Sequence, residues 1–431
     1  MWLFIYFISY ILQENNLYKP LFLLEILSTM NKDLNNIFEQ FLTNESLFKD
    51  KKVLQSHYIP DEINHRDEQI SQAAGILAPA LRLEKPSNLF IYGKTGTGKT
   101  LALRYLAEQM LTIAENKKIP LKIVYINCKL KKIADTEYRL IAQLAREFGK
   151  EIPPTGLPTD EVYSIFLKSL DEEKKIIIFI LDEIDQLVKK AGDEVIYNLT
   201  RMNTELKNAQ TSIVGISNDL VFANNLDPRV KSSLSEEEIV FPPYNAVQLQ
   251  EILKKRSQLA FKEGVLEEGV IPKCAAYAAR EHGDARRALE LLRVAGELSE
   301  RKNINKVTMK DVDSAENVIE RDRVIELVKN QPKQFQAALY AIIVNKNSTH
   351  NKLIQTGDVY DLYRDLCNKI GLRPLTQRRI SDIIAELDML GIINAKVISK
   401  GRFGRTRDIS FILPYSIEAK IKKILEDDLF G

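Results

Sequence analysis

The sequence predicts an α/β unit on a parallel sheet, then an all-helical unit, then a basic C-terminal unit with a helix-turn-helix and a β-hairpin. Three observations predict this. Apolar runs alternate with helical periodicity as far as Phe241. From Asn245 to about Ile325 the β-branched runs give way to Leu/Ala-rich helical spacing. From Asn330 onward 16 Lys and Arg face 11 Asp and Glu, a net +5 against −3 for the remainder.

At 431 residues the chain is long enough for several cores, and 45% hydrophobic with 28% charged residues is a globular composition. Cys128, Cys274 and Cys367 form no CxxC pair and no metal spacing, which predicts free thiols in a reducing cytoplasm. Trp2 to Leu12 is an apolar run too short to span a bilayer and without the flanks of a signal peptide. Translation is expected to begin at Met30, with residues 1–29 a mis-assigned or disordered extension. The expected domains are then 30–241, 242–325 and 326–431.

In the first unit, Ser87–Gly93 reads as a strand entering a glycine-rich turn, and Lys99–Lys117 as a helix with Leu103, Leu106 and Met110 on one stripe. Leu121–Cys128 is a second strand, Thr136–Gly149 a helix, and Glu151–Thr159 a proline-rich loop. Ile176–Leu181 is apolar on both faces, as a central parallel strand is, and Thr211–Ser217 is a further strand.

Gly93-Lys94-Thr95-Gly96-Thr97-Gly98-Lys99-Thr100 matches GxxxxGK[ST] between a strand and a helix. Backbone N–H groups of such a turn wrap a phosphate at the positive end of the new helix. Lys99 would reach the β- and γ-phosphates, and the Thr100 hydroxyl would ligate Mg²⁺. Asp182 and Glu183 end the apolar strand, where parallel sheets place ligands. Asp182 is the expected magnesium carboxylate, and Glu183 can polarise an attacking water. No NKxD motif points to GTP, so ATP or ADP is expected. Asn218 either contacts the attacking water or γ-phosphate, or merely caps a following helix with Asp219. Arg286 and Arg287 fall in the first turn of a helix capped by Asp284, where the dipole favours acids. A bound phosphate or an acidic neighbour would compensate. Arg229 follows a loop from which a subunit can present an arginine to a neighbour's nucleotide.

In the C-terminal unit, Asp358–Lys369 and Thr376–Leu390 read as two helices across a short turn. Thr376 is the N-cap of the second, Leu375 and Ile380 its staple, and Gly391 its stop. Arg378 and Arg379 open it. Strands Ile392–Ser399 and Asp408–Leu413 with a turn over Gly401–Thr406 would form a wing that carries Lys400, Arg402, Arg405 and Arg407 to a DNA groove or its phosphates.

Tyr58-Ile59-Pro60 with His65-Arg66, LDEID at 181–185, LDPRVKSSL at 226–234, FPPY at 241–244, EHGDARRALELLRVAGE at 281–297 and SDIIAELDMLGI at 381–392 together resemble one family. It is that of the archaeal replication initiators related to the eukaryotic origin recognition complex and its helicase-loading partner. The generic ATPase motifs alone also suit a clamp loader, a motor ATPase, or an ATPase-coupled winged-helix transcription regulator. The last two stretches are more specific. The resemblance, from about Met30 to the C-terminus, implies an α/β P-loop AAA+ core with helices on both faces of a parallel sheet, an all-helical lid and a C-terminal winged helix. It implies that Asn218 is a first sensor, Arg286 a second and Arg229 an arginine finger. It implies that Tyr244 and Arg256 contact nucleotide, that His65-Arg66 mark the adenine side, and that Lys129, Lys131 and Lys132 lie in a segment set against origin DNA. Phe403 in the wing turn departs from the family's pattern. The implied function is ATP-dependent binding of double-stranded origin DNA and recruitment of the replicative helicase, with slow hydrolysis as a switch. Other initiator copies on DNA, a cytoplasmic nucleoid location and no membrane partner go with it.

Overall fold

The computed structural model describes residues 45–60, 62–129, 136–153, 155–222, 226–234, 236–348, 354–399, 405–411, 413 and 415–430. The expectations for residues 1–29, Lys131, Lys132, Lys400, Arg402 and Phe403 lie outside them. The chain divides into two compact units at Val312.

The first unit opens on a 3-10 turn, Lys51–Leu54, and then alternates: α1 (Asp67–Leu77), β1 (Leu89–Tyr92), α2 (Lys99–Lys117), β2 (Leu121–Asn127), α3 (Glu137–Glu147), α4 (Thr159–Leu170), β3 (Ile176–Asp182), α5 (Ile184–Ala191), α6 (Glu194–Arg201), β4 (Gln210–Ser217), α7 (Pro228–Leu234) and β5 (Glu237–Val240). The five strands pair in the order β2-β3-β4-β1-β5, all parallel. Central β3 is buried at all seven positions. Alternate residues feed two cores. Ile176, Ile178 and Ile180 join Leu103, Leu106 and Met110 of α2 on one face. Ile177, Phe179 and Leu181 join Leu140, Phe166 and Leu187 on the other. Burying such side chains stabilises by about 1.5–3 kcal/mol each. This is the layered α/β core the alternation predicts. β5 was not expected: three of its four residues are exposed, so it carries no apolar signal.

Three helices follow: α8 (Ala246–Ala260), α9 (Val270–Arg280) and α10 (Ala285–Arg301). Asn245 and Gln248 close a reciprocal capping box at the start of α8. Residues 45–54 pack here and not on the sheet. Phe48 stacks on Phe261 with ring centroids 4.5 Å apart, and Lys49 N–H donates to Ala260 O at 2.8 Å. Lys51 pairs with Glu297 at 2.7 Å. Gly296 is what admits the rings, since a Cβ there would lie 2.5 Å from Phe48 Cζ. The next helix, α11 (Met309–Lys329), runs through the division.

The second unit holds α12 (Lys333–Ser348), β6 (Ile354–Gln355), α13 (Thr356–Ile370), α14 (Gln377–Met389), β7 (Ile393–Ser399), β8 (Arg405–Phe411) and α15 (Tyr415–Phe430). Its antiparallel sheet runs β6-β8-β7. Ile342, Tyr363, Ile380, Ile384 and Ile421 share one core. Helix α14 begins and ends as its residues predict. Thr376 Oγ1 accepts from Arg379 N–H at 3.4 Å, and Gly391, at φ +71°, donates to Asp388 O while Ile392 donates to Leu387 O. Three expectations change. β8 begins at Arg405 and not at Asp408, pairing Arg407 with Val397, so Arg405 sits in the strand and not in the turn, and Arg407 in the strand and not before it. β6 and α15 were not foreseen; two residues carry no periodicity, and in α15 Ile417, Ile421 and Leu425 enter the core of the second unit. Among the described residues no helix is long and apolar enough to cross a membrane. All three cysteines are buried and free.

Gly296→Ala should destabilise the first unit by about 1–3 kcal/mol, as overpacking does. Urea unfolding of the variant checks this, and an unchanged midpoint would mean the aromatic pair is loose.

Candidate functional site

A cavity of about 570 Å³ opens at the carboxyl ends of β2, β3 and β4, walled by the start of α2, by residues 55–60 and 62–64, and by α8 and α10. The turn before α2 supplies its floor. Lys99 is 4% exposed, and its Nζ donates to Gly93 O (2.7 Å), Lys94 O (2.8 Å) and Asn218 Oδ1 (2.9 Å). Burial pushes its ammonium down to about 8; Arg286 acts in the same direction, against Asp182, Asp185 and Asp284. The Asn218 carboxamide faces the lysine, and Asp219 Oδ1 accepts from Val221 N–H at 3.0 Å in the turn that follows.

Thr100 Oγ1 donates to Asp182 Oδ2 at 2.8 Å, and Tyr125 OH donates to the same oxygen at 2.6 Å. Burial first, then the Asp182 charge, pushes the Tyr125 phenol up to about 12, so it donates at neutral pH. Thr100 and Asp182 offer hard oxygen donors at the cavity, a set that suits Mg²⁺. Glu183 follows with φ +55°, a left-handed turn that leads β3 into α5. Strain of this kind clusters at functional sites. Asn127 Nδ2 donates to Glu183 Oε1 at 3.5 Å, and Lys129 Nζ lies 3.7 Å from Oε2. Lys129 thus stands beside the acid expected to work on water.

Asp284 caps α10, its Oδ1 accepting from Arg286 N–H (2.8 Å) and Arg287 N–H (3.3 Å). The two arginines part there. Arg287 pairs with Glu281 at 3.2 Å, the acidic neighbour, while Arg286 lines the cavity with no ion pair on its side chain among the described residues. Arg256, on α8, lays its guanidinium 4.4 Å from the Tyr58 ring centre. Its Nη1 is buried without a hydrogen-bond partner among the described residues. Such an orphan donor is costly unless a ligand satisfies it.

His65 and Arg66 stand behind this wall and do not line the cavity. Arg66 is 2% exposed; its Nε donates to Thr97 O at 2.8 Å and its Nη2 to Pro242 O at 2.6 Å. Its guanidinium lies 3.8 Å from the Tyr244 ring centre. Tyr244 reaches the cavity beside Gly98, where a Cβ would meet its hydroxyl at 2.7 Å. His65 Nε2 pairs with Glu251 at 3.0 Å. Arg229 lies away from the cavity, exposed, held by Asp227 through two hydrogen bonds of 3.1 Å. Sequence reasoning missed Tyr125, Arg104 and the role of Tyr58 as a ring for Arg256. The only sequence signal for Tyr125 was a polar aromatic two residues before a strand end.

In the second unit Arg378 and Arg379 are exposed on the first turn of α14, Arg379 lying 3.8 Å from Asp382. Arg407 is half-buried in β8, its N–H donating to Thr356 Oγ1 at 3.3 Å.

The profile of the Cdc6 AAA+ ATPase-type lid domain matches residues 250–317, that of the CDC6 C-terminal winged helix domain residues 326–417, and that of an AAA domain residues 82–221. The chain is 52% identical over 397 residues to the ORC1-type DNA replication protein 1 of Methanosarcina mazei, covering 92% of this chain and 94% of that one. It is 54% identical over 400 residues to the ORC1-type DNA replication protein of Pyrococcus furiosus, covering 92% and 93%. The solved structure of the Aeropyrum pernix ORC1 protein in complex with DNA matches with a TM-score of 0.77 at 44% identity, over 89% of this chain and 98% of that one.

Anionic phosphate favours charged Lys99, so a bound nucleotide raises the lysine's pKa above its free value of about 8. Above that pH, binding takes up a proton. Affinity for ATP should be level below pH 8 and fall as pH rises past it, by up to about tenfold per unit. Calorimetry at several pH values checks this. Lys99→Ala should abolish the binding altogether.

Proposed function

The chain belongs to the family of ORC1-type DNA replication proteins, and we propose that it works as an ATP-dependent initiator that binds double-stranded origin DNA. The observation that carries the nucleotide part is that Lys99 of the core, Arg286 of α10 and the orphan Nη1 of Arg256 all belong to one cavity. ATP satisfies all three at once. Its phosphates lie along the turn from Gly93 to Thr100, through the backbone at Thr95, Gly96, Thr97 and Gly98, and its base lies toward Tyr58 and Arg256. Tyr244 closes the side next to Gly98. Mg²⁺, held by Thr100 and Asp182, neutralises phosphate charge when bound.

Glu183 accepts a proton from the attacking water, and Asn218 holds that water or the γ-phosphate. With phosphate bound, Lys99 exchanges its carbonyl partners for phosphate oxygens. Arg286 reads the γ-phosphate from the lid, so hydrolysis removes a contact that holds α10 to the core, and slow turnover serves as a switch. Arg229, exposed on the surface beside Asp227 and the Tyr197 ring, is suited to reach the nucleotide of another copy on DNA. His65 and Arg66 act by shaping the turn and Tyr244, not by touching the base.

The net positive charge from Asn330 onward, and the exposed arginines of α14, support a DNA-binding role for the winged helix. Its duplex target, as the complex of the Aeropyrum pernix relative suggests, is DNA. Lys129 with Lys131 and Lys132, and Lys400 with Arg402, Arg405 and Arg407, add phosphate contacts. Recruitment of the replicative helicase is the output, in the cytoplasm on the nucleoid.

Three experiments test this reading. Genomic duplex fragments retained by the protein at graded salt, then sequenced, should concentrate at a few sites near replication start points. Uniform retention that vanishes with salt, together with fast DNA-stimulated turnover, would contradict the initiator and favour a motor. Arg378→Ala with Arg379→Ala should weaken binding and lower the salt slope by about one per lost phosphate contact. Glu183→Gln should keep ATP bound and slow hydrolysis by about 100-fold or more; undiminished turnover would remove Glu183 from the base role.

A further inference from the structure

Tyr125 belongs to none of the motifs that define the nucleotide site, yet its hydroxyl makes one of the shortest contacts there. It donates to Asp182 Oδ2 at 2.6 Å. Thr100 Oγ1 donates to the same oxygen at 2.8 Å, and Glu183 N–H occupies Oδ1 at 2.9 Å. The carboxylate is therefore held by three donors from three places in the chain.

The sheet register sets this up. β2 and β3 pair Tyr125 with Ile180 and Asn127 with Asp182. Tyr125 and Asp182 then have the same parity along two in-register strands and point to the same face of the sheet. That face is the one α2 covers. Thr100 and Arg104 lie one turn apart on α2, on its same side. Arg104 lays its guanidinium 4.2 Å from the centre of the Tyr125 ring. Both side chains line the cavity. Packing alone does not explain the pair, since a phenylalanine would fill the same space without a hydroxyl aimed at a buried carboxylate.

We propose that Tyr125 is a positioning residue for the metal carboxylate, holding Asp182 toward Thr100, with Arg104 holding Tyr125 in turn. The assignment rests on Thr100 and Asp182 being the magnesium ligands of an ATP site. The hydroxyl proton of Thr100 goes to Asp182, which leaves its lone pairs free for the cation. Tyr125 keeps the accepting oxygen where that proton can reach it. Partners of this kind tune metal affinity without touching the metal. Tyr125 contributes little to ATP binding once the cation is saturating.

The test uses Tyr125→Phe in the full chain, with two readouts by equilibrium nucleotide binding. One is the Mg²⁺ concentration that half-saturates the rise in ATP affinity; the other is ATP affinity at saturating Mg²⁺. The half-point should rise by about tenfold, as loss of such a partner does, while the saturated affinity stays within about twofold. Arg104→Ala should shift the half-point in the same direction by less. An unmoved half-point with intact ATP binding overturns the assignment alone. So does a saturated affinity that falls while the half-point stays, which is what a merely structural tyrosine would give. A wild-type protein that binds no ATP overturns both the assignment and the ATP site on which it rests.

Discussion

The contact between Gly96 and the start of α10 is the constraint on which the nucleotide site depends. Ala285 N–H donates to Gly96 O at 3.2 Å, and a Cβ on Gly96 would lie 1.7 Å from Asp284 Oδ1. No side chain fits between the phosphate-binding turn and the lid helix. The same Asp284 oxygen caps α10, so the cap that starts the helix also seats it on the core. Arg286, two residues on, is delivered to the cavity by that docking. The positive charge in the first turn, unfavourable for an isolated helix, faces the cavity that Lys99 and Thr100 also line.

A second tie runs along the other side. The chain from Phe48 to Arg66 begins against α8 and α10, lines the cavity between residues 55 and 64, and ends with Arg66 gripping Thr97 O and Pro242 O. One continuous segment is thus anchored on the lid at one end and on the turn at the other. Any change in lid angle has to bend it or release an anchor. The cavity lies between the two ties, so a nucleotide bound there would touch what such a motion moves. That arrangement supports a switch more than a fast motor, because closure and opening each break packed contacts.

Much of this was legible in the sequence, and the reasons for the exceptions are physical. GxxxxGK[ST] and the apolar run ending in Asp182-Glu183 are local patterns, and local patterns survive in one dimension. So do the cap at Thr376 and the stop at Gly391. Helical spacing and capping alone did not part Arg286 from Arg287, because that depends on where Glu281 lies across a turn, and only the family resemblance singled out Arg286. Arg66, expected on the adenine side, is enclosed by carbonyls and the Tyr244 ring, which only the fold brings together. β5 escaped notice because only Ile239 in it is buried. The start of β8 was misjudged because Arg405 lies in a glycine-flanked basic stretch, yet it pairs with Ser399 as Arg407 does with Val397. Tyr125 acts through register between two strands, which no single segment encodes.

The claim that core and lid bind one nucleotide together is tested most directly by ATP binding to Arg286→Ala, compared with the wild type by calorimetry. A charge-assisted contact of this kind contributes about 1.5–3 kcal/mol. The account predicts one ATP per wild-type chain and an affinity loss of about tenfold to a hundredfold in the variant, with ADP affected less. Equal ATP affinity in the two proteins would contradict it, and would leave the lid arginine without a place in the site.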